Sequence, residues 1–321
     1  MPLFGPPDVE KMLAKRDVKG LISALKYKDA NISKAAAKAL GDIADPHATG
    51  PLIASLNYHW SGMDEIVIEA QVKIGKPAVD LLVSALKDSD WQVRRNCAKA
   101  LGQIRDMRAI EPLAALLVDE DSSVRRYSAE ALGEISDPRA IEPLVAALKD
   151  KSFDAREAVA GALEKIGWQP GKDENGARYW IGKHEWSQCV GFGSLAVEPL
   201  IAVVMYDYNY WVRGAAEALG DIGDPRAVEA LVAAVSHANQ RLLEMHYPAF
   251  EPIVTAIKNG TYDASKIKHK SAADAQNFEY VMKVLQRHVE ERDAAAEALK
   301  KVLAKLDNGQ VAAAVHAATG P

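Results

Sequence analysis

The chain has 321 residues, 49% hydrophobic and 26% charged, with a formal net charge of −5. This is the composition of a folded chain with ample apolar material, which excludes a disordered or collagen-like one. The acidic balance argues against nucleic acid as a partner, since that needs a basic footprint, and two cysteines, Cys97 and Cys189, are too few for a secreted disulfide framework.

The N-terminal MPLFGPPDVEKML lacks a basic start followed by an apolar run, so it does not read as a signal peptide. Residues 1–16 read instead as an arm, Pro2–Asp8, leading into a capping helix near Val9–Ala14. No uninterrupted apolar run reaches the length of a membrane span, and the expectation is a cytoplasmic protein with no membrane association.

From residue 17 the chain repeats itself. KALGDIADPHATGPLIASL at Lys38–Leu56 returns as KALGQIRDMRAIEPLAALL at Lys99–Leu117, as ALGEISDPRAIEPLVAAL at Ala131–Leu148 and as EALGDIGDPRAVEALVAAV at Glu217–Val235. Equivalent alanines stand at Ala48, Ala78, Ala109 and Ala140, then, past an insertion, at Ala196 and Ala227, a period of about 31 residues. A fixed period of this size predicts a stacked array over 17–236 rather than one closed core.

Within one unit, Val93, Cys97, Ala100, Leu101 and Ile104 share a helical face, and Gly102 allows a close crossing of backbones. A tight connection over Arg105–Arg108 follows, then a second apolar stripe of Ile110, Leu113, Leu116 and Leu117. Pro112 stands in the first turn, where a missing N–H does no harm. Asp119, Glu120, Asp121 and Ser122 break the pattern and offer an N-cap to the next helix. Each unit is therefore a helical hairpin, too short to bury its apolar face without neighbours, and the fold class is an all-α solenoid.

The pattern resembles HEAT repeats of the short, phycobilisome-lyase HEAT-like type. The residues that carry this resemblance are VRRYSAEALGEISDPRAIEPL at Val124–Leu144, with near-copies beginning at Val93 and Val212. It covers about 17–235. It implies a solenoid whose relatives mostly serve as binding platforms, and it raises a second reading, a lyase-like chaperone acting on a tetrapyrrole-bearing partner.

An insertion at about 167–190 lengthens one period. Pro170, Gly171 and Gly176 make a polar loop, a helix resumes from Ala177, and Trp168, Trp180 and Trp186 read as aromatic plugs of the irregular stretch. Past Val235 the period fades into a helical C-terminal section, 237–321. It contains a helical stretch over His237–Lys258, a polar connection with Lys266, Lys268, His269 and Lys270, and one long helix over Ala273–Leu306. A terminal cap is its simplest role; an exposed stripe on the long helix would instead serve a homo-oligomer contact.

Two rows of charge recur in register: Arg94, Arg125, Arg156 and Arg213, and Asp45, Asp106, Asp137 and Asp224. We read both as structural ladders, the aspartates capping turns or meeting arginines of adjacent units. The partner-binding candidates are aromatic. Tyr206, Tyr208, Tyr210 and Trp211 fill an inter-unit position that is polar elsewhere, Trp91 holds the equivalent slot of an earlier unit, and Tyr58 and Trp60 lie near another junction. His184–Glu185 resembles the iron-binding pairs of deoxyhypusine hydroxylase, a HEAT-type enzyme. However, Arg95–Asn96, Arg126–Tyr127 and Glu157–Ala158 stand where further pairs would be needed. No catalytic constellation, metal set or cofactor motif is expected. The functional expectation is a non-catalytic scaffold or adaptor that holds another protein.

Overall fold

The computed structural model describes residues 6–58, 60–206, 211–244 and 272–306. These form helices joined by turns, with no strand among the described residues. The chain divides into two compact units, Met1–Gln169 and Pro170–Pro321.

The first unit opens with α1 (Val9–Ala14) and α2 (Val18–Ala24). Long and short helices then alternate. The long ones are α3 (Ala30–Ile43), α5 (Met63–Ile74), α7 (Trp91–Ile104), α9 (Ser122–Ile135) and α11 (Phe153–Ile166). The short ones are α4 (Thr49–Ser55), α6 (Val79–Ala85), α8 (Ile110–Ala115) and α10 (Ile141–Ala147). Capping chemistry sets the ends. Asp29, Asp90 and Asp121 each accept a bond from the backbone N–H two residues on, which satisfies an orphan donor of the first turn. At the far end Ala44, Arg105 and Ser136 take left-handed backbone angles, with φ between 56° and 58°, and close α3, α7 and α9. A single 3₁₀ turn then leads into each short helix, as at Met107–Ala109.

Successive long helices pack side by side, and glycine sets their spacing. A Cβ on Gly102 would stand 2.7 Å from Ala131 Cα, and Gly41 and Gly133 meet Ala70 and Ala162 in the same register. Leu40, Leu52, Leu82, Leu101, Leu113, Leu132 and Leu144 are buried between the hairpins. Each such side chain contributes about 1.5–3 kcal/mol on full burial, and most of that burial needs the adjoining hairpin.

The second unit contains α12 (Glu174–Gly182), α13 (Trp186–Val190), α14 (Ser194–Tyr206), α15 (Trp211–Ile222), α16 (Ala227–Glu244) and α17 (Ala272–Ala304). The sequence suggests a helix from Ala177. The helix in fact begins at Glu174, because Asp173 accepts from Gly176 N–H, and it ends before His184, which is left-handed at φ 58°. Trp180 and Trp186 pack on a core that includes Ile181, Leu200, Leu219 and Leu231. The long C-terminal helix, expected over 273–306, runs over Ala272–Ala304. It stands against α15 as a further repeat would: a Cβ on Gly220 would lie 2.7 Å from Ala298 Cα. Ala295, Ala298 and Val302 are buried in this contact, so that part of the apolar stripe is used inside the unit. Much of the expected His237–Lys258 stretch and the lysine cluster from Lys266 to Lys270 lie outside the described residues.

Candidate interaction surface

The arginine row is built into the first unit from both sides. Arg94 Nε and Nη2 donate to the two carboxylate oxygens of Asp119, each at 2.8 Å, while Nη1 donates to the carbonyls of Asp88 and Ser89. Arg125 repeats this on Asp150, at 2.6 and 2.9 Å, and on the carbonyls of Asp119 and Glu120. Arg156 donates to the carbonyl of Asp150 and lies over the Phe153 ring. Each arginine thus ties the loop before its helix, and Arg94 and Arg125 also clamp the loop one unit further on. The hydrogen bond from Asp119 is the main cause holding the Arg94 guanidinium above its ordinary pKa. Arg213 behaves differently: it is exposed and meets Glu217 and Glu290 at 3.0 and 3.5 Å.

The aspartate row serves the turns. Asp45, Asp106, Asp137 and Asp224 accept from the backbone N–H of His47, Arg108, Arg139 and Arg226 at 2.8–3.0 Å. Side-chain bonds from Arg108, Arg139 and Arg226 hold the carboxyls of Asp106, Asp137 and Asp224 below the usual range. For Asp45 the leading cause is the His47 backbone bond. The carboxylates that face the arginine row belong instead to a third row, Asp119 and Asp150. Asp119, expected as part of an N-cap, has a largely buried side chain.

Trp91 and Tyr58 are 37% and 39% exposed, and the Tyr58 ring lies 5.3 Å from that of Trp60. Trp211 packs against the core of the second unit, its ring 3.6 Å from that of His184. Tyr206 ends α14; its side chain, and Tyr208 and Tyr210 altogether, lie outside the described residues.

One cluster escaped the sequence reading. The Tyr127 ring on α9 has three cations beside it: Arg126 at 5.3 Å, Lys99 at 5.8 Å and Arg95 at 6.0 Å. Arg95 also lies 5.2 Å over Trp91. Arg95 pairs with Asp64 at 2.6 Å and Arg126 with Glu130 at 2.9 Å. Below Tyr127 opens a cleft of about 390 Å³, lined also by Lys99, Gln103, Glu130, Glu134 and Lys165, with Gly102 and Ala131 among its walls. Glu134 bridges Lys165 and Arg105, and the Lys165 bond is the main cause lowering its pKa. The available signal was the four-residue spacing of Trp91, Arg95, Lys99 and Gln103 along one helix. It was overshadowed by the more regular row at Arg94.

Among the described residues no three His, Cys, Asp or Glu side chains converge as a metal set, and no helix is long and apolar enough to cross a membrane. Cys97 and Cys189 are buried free thiols, each pushed up to about 12 by burial.

Family models match much of the chain. That for HEAT repeats covers residues 64–130 and 113–174, and that for the PBS lyase HEAT-like repeat covers 34–58 and 212–237. No curated protein matches the sequence. Similar solved structures include an engineered protein at 22% identity, covering 93% of this chain and 92% of that one, with a TM-score of 0.32. The complex of CpcE and CpcF of phycocyanin lyase from Nostoc sp. PCC7120 follows at 20% identity, 76% and 94% coverage and a TM-score of 0.31. Importin beta matches at 17% identity with a TM-score of 0.41, covering 97% of this chain and 44% of its own. With helical hairpins recurring in register and both repeat models matching along them, the chain belongs to the HEAT-repeat proteins and carries units of the short, PBS-lyase HEAT-like type.

Proposed function

We propose that this protein is a non-catalytic scaffold that holds another protein against the surface of its repeats. The observation that supports this reading is the exposure of Tyr58 and Trp91, 39% and 37%, with the half-buried Trp60 ring 5.3 Å from that of Tyr58; we take these three as an aromatic edge. Exposed Tyr and Trp offer rigid contact area with a hydrogen-bonding tip, the chemistry enriched at binding hot spots. Arg95, paired with Asp64 and lying over Trp91, orients one of these rings. Tyr206, Tyr208, Tyr210 and Trp211 extend the same proposal to the second unit. Trp211 there also packs internally, so it is the less suitable residue to mutate.

Affinity capture with the full chain and with the triple variant Tyr58→Ala, Trp60→Ala, Trp91→Ala, each followed by mass spectrometry, tests the reading. The expected result is a partner retained by the parent and lost by the variant at unchanged helical content. An undiminished partner in the variant eluate would remove the edge from the account. The alternative, a lyase-like chaperone for a tetrapyrrole-bearing partner, draws support only from the repeat type. It predicts a visible absorption band on the purified chain after co-production with a bilin, which the scaffold reading does not.

A further inference from the structure

We infer that the cleft under Tyr127 receives an acidic side chain from an extended segment of a partner protein, with Lys99 as its counter-ion. This rests on the scaffold reading and names the chemistry of what is held. Within the cleft and its rim, Arg126 is matched by Glu130, Arg95 by Asp64, and Lys165 and Arg105 by Glu134. Among the described residues Lys99 has no such carboxylate; its contact is the Tyr127 ring at 5.8 Å. Asp154 also acts on Arg126, so Arg95, Lys99, Arg105, Arg126 and Lys165 face Asp64, Glu130, Glu134 and Asp154, five cations to four carboxylates and a local positive surplus on a chain whose net charge is −5.

Shape agrees with a chain segment as occupant. The cleft, about 390 Å³, falls within the range of ligand-sized sites. Gly102 and Ala131 line it where they close on each other, so α7 and α9 lie close together along it. Gln103 offers an amide donor and acceptor for a passing peptide group, and Tyr127 offers a face for its side chains. Glu130 and Glu134 line the same cleft, which disfavours a polyanion such as single-stranded nucleic acid that would lay repeated phosphates past them. A single carboxylate set at Lys99 avoids that repulsion.

Fluorescence anisotropy on the full chain tests this with three fluorescein-labelled probes: Gly-Ala-Ala-Glu-Ala-Ala-Gly and its counterparts with Gln or Lys in place of Glu. The Glu probe should bind most tightly and weaken with salt. Lys99→Gln should weaken it about fivefold and Lys99→Arg should retain it. Tyr127→Ala should weaken it about three- to tenfold, while Arg108→Gln, a change to an exposed cation elsewhere, should leave it unchanged. Equal binding of the three probes, no saturable binding, indifference to Lys99→Gln, or tighter binding of an oligothymidylate at the same residues would overturn the inference. The capture experiment at Tyr58, Trp60 and Trp91 reads a different set of residues, so the scaffold reading can survive failure here.

Discussion

Arg94 and Asp119, 25 residues apart in sequence, meet through two parallel bonds of 2.8 Å with both side chains only 8% exposed. The pair is a clamp between successive hairpins, because Arg94 starts one long helix and Asp119 lies in the loop before the next. A planar guanidinium matches a carboxylate edge-on, which lysine cannot do. Asp119→Ala should therefore cost about 3 kcal/mol, chiefly by leaving the buried Arg94 guanidinium with only the longer, 3.4 Å carboxylate contact to the exposed Glu120. Urea denaturation monitored by circular dichroism measures this. A double replacement, Arg94→Met with Asp119→Leu, should recover most of the loss, and no recovery would mean that the loop geometry rather than the charge is at stake.

Gly102 has no room for a side chain. A Cβ there would stand 2.7 Å from Ala131 Cα and 2.8 Å from its Cβ. Gly102→Ala should destabilise the first unit by about 1–3 kcal/mol through overpacking. Adding Ala131→Gly relieves only one of the two contacts, so rescue should be partial. Full rescue, or no initial loss, would show that the helices can separate at little cost.

The turn aspartates set a pH dependence of known sign. The carboxyls of Asp106, Asp137 and Asp224 lie below their ordinary value of 3.8, held there first by side-chain bonds from the arginine two residues on. Glu134 lies below 4.5 for the same kind of reason, through Lys165 and Arg105. A depressed carboxyl binds fewer protons folded than unfolded. Its contribution is thus complete above the ordinary value and is lost as the pH falls through the folded one. The contribution of these four carboxyls should be flat from neutral pH down to about pH 5 and should decline below it. Carboxyl titration by NMR should place all four midpoints below the ordinary values; a midpoint above them would contradict the turn geometry.

The two thiols should be inert in the folded protein. Burial pushes Cys97 and Cys189 up to about 12, so almost no thiolate exists at neutral pH. A thiol reagent such as DTNB should label neither at pH 8 and both in denaturant. Rapid labelling of the native chain would show that a hairpin opens on the timescale of the assay.

Much of the fold was legible along the chain because a repeat states the same instruction several times. The aspartate-led turn, at Asp45, Asp106, Asp137 and Asp224, and the Ala-Leu-Gly approach recur at multiples of roughly 30 residues, along with the apolar stripes. They yield helical hairpins, their order and the Gly102 crossing without any knowledge of neighbours. The long C-terminal helix was likewise readable from its apolar stripe.

Pairing between units was not legible. The sequence offers each arginine several carboxylates of similar spacing, and only the packed hairpins bring Asp119, rather than Asp106, to Arg94. Nor does linear order show that Arg95, Lys99 and Arg126 gather at one ring, since Tyr127 arrives from the following helix. Local propensity and capping act over a few residues and are written in each repeat. The distance between side chains on adjacent helices is fixed only when those helices close on each other, and at this cleft that closure is set by the contact of Gly102 with Ala131.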